Sequence, residues 1–128
     1  MVAAEEEGAM AGQGDAMQKE RGEPPDNVSL SLNGVRYEAI HWGKAQGLKQ
    51  NGGYIIALDE KTGSQKWLVR VYAVRYQPDK EEDKQDVFIR RITKAKNKQS
   101  LLIENERDEN YILDLRNLTV KGPFLPPR

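Results

Sequence analysis

The chain of 128 residues carries one histidine, His41, and no cysteine. A lone imidazole, with no thiolate and no second imidazole to join it, makes neither a metal-ligand set nor a nucleophile–base pair. The paired acids Glu104/Glu106 and Glu81/Glu82/Asp83 fall in turns or on charged faces, where solvation accounts for them. Asn51-Gly52-Gly53 is too short for a phosphate loop, and its surroundings do not read as a helix. These residues predict a protein that is not an enzyme, with no catalytic residue, no cofactor and no metal.

The chemistry that the residue types do support is binding, in two places. Arg70, Tyr72 and Tyr76 alternate along one strand-like run, and Phe88, Arg90, Lys94 and Lys96 along the next. Basic groups neutralise phosphates while exposed aromatic rings stack on bases, which is how small β domains hold single-stranded nucleic acid. Pairing of the two runs across residues 77–86 would bring both sets onto one surface. Leu68, Val74 and Ile92, taken with Tyr72, Tyr76 and Phe88, also suit an isologous dimer interface rimmed by arginines. The second place is the stretch His41–Gly53, which combines Trp42, Lys44, Lys49, Gln50 and Asn51 with Gly43, Gly47, Gly52 and Gly53. Such a loop fits an anionic or planar partner, or else folds as an Ω-like loop with Trp42 tucked into the core. A protein partner or a second copy of the chain is the leading expectation, and single-stranded nucleic acid the alternative.

The elements that must hold these residues follow from period-two alternation and turn chemistry. Leu30 and Leu32 lead into Asn33-Gly34, after which Val35, Tyr37 and Ala39 recur at every second position. An Asn-Gly pair between two such runs predicts a type I′ hairpin, because that turn needs positive φ at both central residues. Further strands are expected at Tyr54–Leu58, Lys66–Tyr76, Val87–Ala95, Leu101–Glu104 and Tyr111–Leu115, with a charged connection over Gln77–Asp86. On the long Lys66–Tyr76 run, Trp67, Val69, Val71 and Ala73 mark the core-facing side. About seven short strands with short links predict an all-β antiparallel meander, closed as a small barrel or folded as a sandwich.

The stretch "GYIIALDEKTGSQKW", Gly53–Trp67, resembles the repeat of PQQ-like (quinoprotein) β-propellers in Ala57-Leu58-Asp59, Thr62-Gly63 and Trp67. Tyr111–Leu115 echoes its strand without the Gly or the Trp. The resemblance implies an antiparallel hairpin in which Gly63 closes the turn and Trp67 packs. It does not imply the ring, since a propeller needs at least four blades of about 40 residues, and quinone binding belongs to a complete ring.

Mean hydropathy of −0.79 and 31% charged residues describe a soluble domain, diluted by a segment without a core. Residues 1–27 hold seven acids against Lys19 and Arg21, a net charge of −5, so the rest of this neutral chain carries +5. That segment, poor in aromatic and β-branched residues, is expected to be a disordered acidic tail preceding a single β domain over 28–121. Residues 122–128 read as a Pro-rich tail, in which Pro123-x-x-Pro126-x-Arg128 matches the pattern of polyproline ligands without requiring that use. No apolar run nears the roughly 20 residues needed to span a bilayer, and the first residues are acidic where a signal peptide needs a basic start. The expected compartment is the cytoplasm, with no membrane association.

Overall fold

The computed structural model describes residues 27–79 and 85–125. The tail expected over 1–27 (all but Asn27), the middle of the 77–86 connection and the last three residues of the Pro-rich tail lie outside them. The described chain is all-β: two four-stranded antiparallel sheets, each a simple meander. The first holds β1 (Ser29–Leu32), β2 (Val35–Ile40), β3 (Tyr54–Asp59) and β4 (Gln65–Arg70) in that order. The second holds β5 (Ile89–Lys94), β6 (Ser100–Asn105), β7 (Asn110–Asp114) and β8 (Val120–Phe124). The sheets pack face to face as a sandwich, with β1 and β2 lying against β5.

Turn chemistry closes the hairpins. Asn33 and Gly34 take φ of 53° and 80° between the paired residues Leu32 and Val35, the left-handed pair that a type I′ turn requires. In the β3–β4 hairpin, Asp59 Oδ1 accepts the backbone N–H groups of Lys61 (2.9 Å) and Thr62 (3.0 Å), and Gly63 sits at φ 76°. The core is built from alternate residues of both sheets: Tyr37, Ile55 and Ala57 on one side, and Ile89, Ile92, Leu101, Ile103, Tyr111 and Leu113 on the other. Trp67 and Val69 pack against it from β4 but stay half-buried, since no described strand lies beyond them.

Three expectations need correction. Among the described residues β8 runs through Pro123 to Phe124, into the segment expected to be a tail, which adds an eighth strand to the about seven expected. Pro is tolerated there because β8 is an edge strand. The run Lys66–Tyr76 is not one strand: β4 ends at Arg70, and Ala73, expected in the core, is exposed. The cause is Gln50, which takes up the backbone groups of the following residues. Its Nε2 donates to the carbonyls of Gly52 and Tyr72 (2.8 Å each), and its Oε1 accepts the Val74 N–H (2.9 Å). One carboxamide thus stands where a neighbouring strand's peptide group would be. Finally, β4 and β5 belong to different sheets, so they do not pair across 77–86.

The β7–β8 turn carries a measurable charge effect. The Arg116 side chain bonds both carboxylate oxygens of Asp114, and its backbone N–H adds a third bond at 2.8 Å. Led by that guanidinium, these bonds lower the Asp114 carboxyl from 3.8 to about 2. A folded-state pKa below the unfolded value stabilises the fold above about pH 4, and that contribution is lost as the pH falls towards 2. Carboxyl NMR should show Asp114 titrating near pH 2, and Arg116→Ala should move its midpoint back towards 3.8.

Candidate functional site

The residues from His41 to Gly53 form an ordered loop with a short 3₁₀ helix, Gly43–Gln46. Gly43 is required by space: a Cβ there would lie 2.3 Å from the Gln50 carbonyl oxygen. Gln50 is only 2% exposed and serves as the backbone surrogate described above, so it is unavailable to a ligand. Asn51 is also committed. Its Oδ1 accepts the Lys44 N–H at 3.1 Å, and its Nδ2 donates to Asp86 Oδ2 at 3.0 Å. Tyr76 donates its hydroxyl to the other Asp86 oxygen at 2.6 Å, and Lys44 Nζ sits 4.1 Å from the centre of the Tyr76 ring. A buried carboxylate, an amide, a phenol and a cation therefore close on one another and fasten the loop to the chain that follows β4. His41 packs edge-on to Phe88, with ring centroids 5.2 Å apart. Lys49 and Trp42 are exposed; Trp42, at 54%, is not tucked into the core, and its ring lies T-shaped to Phe88 with centroids 5.6 Å apart.

The basic and aromatic face does not assemble as expected. Phe88 is 1% exposed and cannot stack on a base. A β-bulge between Ile89 and Arg91 breaks the alternation, so that Arg90 and Arg91 both face solvent between the buried Ile89 and Ile92, and Phe88, just before the strand, is buried as well. Ile92, counted towards a dimer face, is likewise core. Tyr72 stacks on Tyr111 (5.2 Å, 19°) and donates its hydroxyl to the Val87 carbonyl at 2.7 Å, joining the two halves of the molecule. Burial, the largest cause, raises its phenol well above the usual value. Arg90 bonds Glu104 at 2.6 Å and also reaches Asp108, while Arg91 bonds the other Glu104 oxygen. These guanidinium contacts, Arg90 first, hold the Glu104 carboxyl below the ordinary range. Lys94 and Lys96 are exposed at the β5–β6 turn, and Arg70 is exposed on β4, in the other sheet.

What the structure does bring together is a groove on the outer face of the second sheet. Arg91, Thr93, Leu102, Glu104, Asn110, Phe124 and Leu125 enclose an open volume of ≈ 470 Å³. Among the described residues the large apolar side chains left exposed are Trp42, Leu102, Phe124 and Leu125, and three of these four line this groove. Leu102 was discoverable: Leu101-Leu102-Ile103 places three apolar residues in a row, and in a strand the middle one must face away from its neighbours. Phe124 and Leu125 were hidden by prolines that read as a chain end.

Among the described residues no group of three His, Cys, Asp or Glu side chains is placed to hold a metal, and no helix is long and apolar enough to cross a membrane. Compared with known protein families, curated proteins and solved structures, the chain matches none.

Proposed function

We propose that this domain is a non-catalytic interaction module that takes a protein partner on the outer face of its second sheet. The observation that carries the reading is the clustering of Leu102 (40% exposed), Phe124 (48%) and Leu125 (68%) around one groove. Scattered exposed apolar residues are ordinary, whereas a contiguous patch with a polar rim is the composition of a contact surface. Arg91, Glu104 and Asn110 supply that rim. The non-catalytic part of the reading rests on how the polar groups are used: Asp86, Tyr76 and Asn51 spend their bonds on one another. Nucleic acid is the weaker reading, because Phe88 is buried and Arg90 and Arg91 are already held by carboxylates.

Photo-crosslinking in cells that express the protein tests this. A photoreactive phenylalanine analogue at Leu102 should yield a discrete crosslinked protein, while the same group at Ser31, exposed on the first sheet, should not. A product of twice the chain's mass would make the partner a second copy. Equal yields from the two positions, or none from Leu102, would remove the groove as the contact surface.

A further inference from the structure

Independently of that groove, we infer that the free edge of β4 accepts an extended acidic segment of another protein as a ninth strand. The register pairs Tyr54 with Arg70, Ile55 with Val69, Ile56 with Leu68 and Ala57 with Trp67. One step further on, Val71 donates its N–H to the Gly53 carbonyl at 2.7 Å, which makes 53/71 a hydrogen-bonded pair. Such pairs alternate along an antiparallel ladder. Val69 and Trp67 therefore bond to β3, and the N–H and C=O groups of Leu68 and Arg70 point away from it. β4 is the last strand of its sheet, and no other described segment bonds the backbone of Leu68 or Arg70 on that side.

The other three edges are less suited. β1 lies against β5. β8 contains Pro123, which has no N–H. β5 is bulged at Arg90, and Arg90 and Arg91 are both bonded to Glu104.

Side chains on β4 define the occupant. Trp67 and Val69 face the core yet remain half-buried, so apolar residues opposite them would complete the sandwich. On the other face Lys66 and Arg70 are exposed and make no ion pair with a described residue. Self-pairing of β4 about a two-fold axis at Leu68 would set Lys66 of one copy against Arg70 of the other, and like charges directly opposite destabilise a ladder. The fitting strand instead reads acid–apolar–any–apolar–acid. Main-chain bonds to Leu68 and Arg70 would supply the affinity, and the alternating side chains the specificity.

The test uses the full chain and a fluorescein-labelled, acetylated peptide Glu-Val-Thr-Val-Glu. Anisotropy should show saturable binding. At saturation, amide hydrogen exchange at Leu68 and Arg70 should slow by about tenfold, with no change at Ser29 and Ser31 on the opposite edge. The Lys66→Glu/Arg70→Glu variant, altered only at exposed side chains, should bind this peptide about tenfold more weakly and should prefer Lys-Val-Thr-Val-Lys. Absence of binding overturns the inference, as does binding without protection at Leu68 and Arg70. So does protection of those two amides before any peptide is added, which would place a segment of this chain on the edge. None of these results depends on the second-sheet groove.

Discussion

Replacing Gln50 with leucine is expected to lower the unfolding free energy by about 3–5 kcal/mol, although no apolar contact is lost. The change strands three backbone groups at once: the buried Gly52 carbonyl and the partly buried Tyr72 carbonyl and Val74 N–H. Each unsatisfied buried group costs about 1–3 kcal/mol, and carbonyls sit at the low end because they retain a second lone pair. Urea denaturation of the variant beside its parent measures the difference directly. Gln50→Glu provides the control of sign. Its acceptor oxygen still serves Val74, but an ionised carboxylate would face two carbonyl oxygens, so burial and repulsion raise its folded-state pKa above the unfolded value near 4.3. That variant should therefore lose stability as the pH rises from about 4 and recover it on acidification, when one donor is restored. A Gln50→Leu loss below about 1 kcal/mol would show that the bonds attributed to this carboxamide do not hold the segment after β4.

Phe88→Ala should be about as damaging, at roughly 3–5 kcal/mol, the usual range for emptying a buried phenylalanine site. Phe88 is in contact with the rings of His41 and Trp42, and it lies so close to Gly52 that a Cβ there would be 3.0 Å from its Cδ1. Its neighbour in sequence but one, Arg90, should behave differently. Arg90→Ala removes exposed ion pairs to Glu104 and Asp108, and such pairs contribute at most about 1 kcal/mol. The contrast separates a packing residue from a surface residue in the strand that was expected to show both on one face. Thermal unfolding of the two variants settles it; a Phe88→Ala protein as stable as its parent would return that ring to the candidates for ligand contact.

The parts of this architecture that could be read from the sequence were those set by neighbours in the chain. Asn33-Gly34 announces its hairpin because positive φ at two successive residues is a local demand. The antiparallel all-β class follows from the same short-range punctuation, and the sandwich was one of the two closures it allowed. The misplaced elements were decided at a distance. β4 stops at Arg70 because a side chain 22 residues earlier bonds Tyr72, and no window of alternation contains that competitor. A single inserted residue at Arg90 put Ile89 and Ile92 on the same core-facing side of β5, and Phe88, just before that strand, is buried against the rings of His41 and Trp42 from a distant loop. Of the loop residues singled out, Gln50 and Asn51 are structural fasteners and Trp42 remains on the surface. The second-sheet groove was missed because Pro123 and Pro126 suggested an ending rather than an edge strand.

Among the described residues every strand pairing joins consecutive strands, and the described strands change sheet once, between Arg70 and Ile89. Hairpins of this kind close short loops, so each half can acquire its ladder early at small entropic cost. Docking is different: it must join the halves across long sequence separations, as when Tyr72 stacks on Tyr111. The contact order that governs the folding rate therefore resides in the interface between the sheets rather than in the sheets themselves. Substitutions at that interface should slow the slowest step of folding, whereas turn substitutions should act mainly before it.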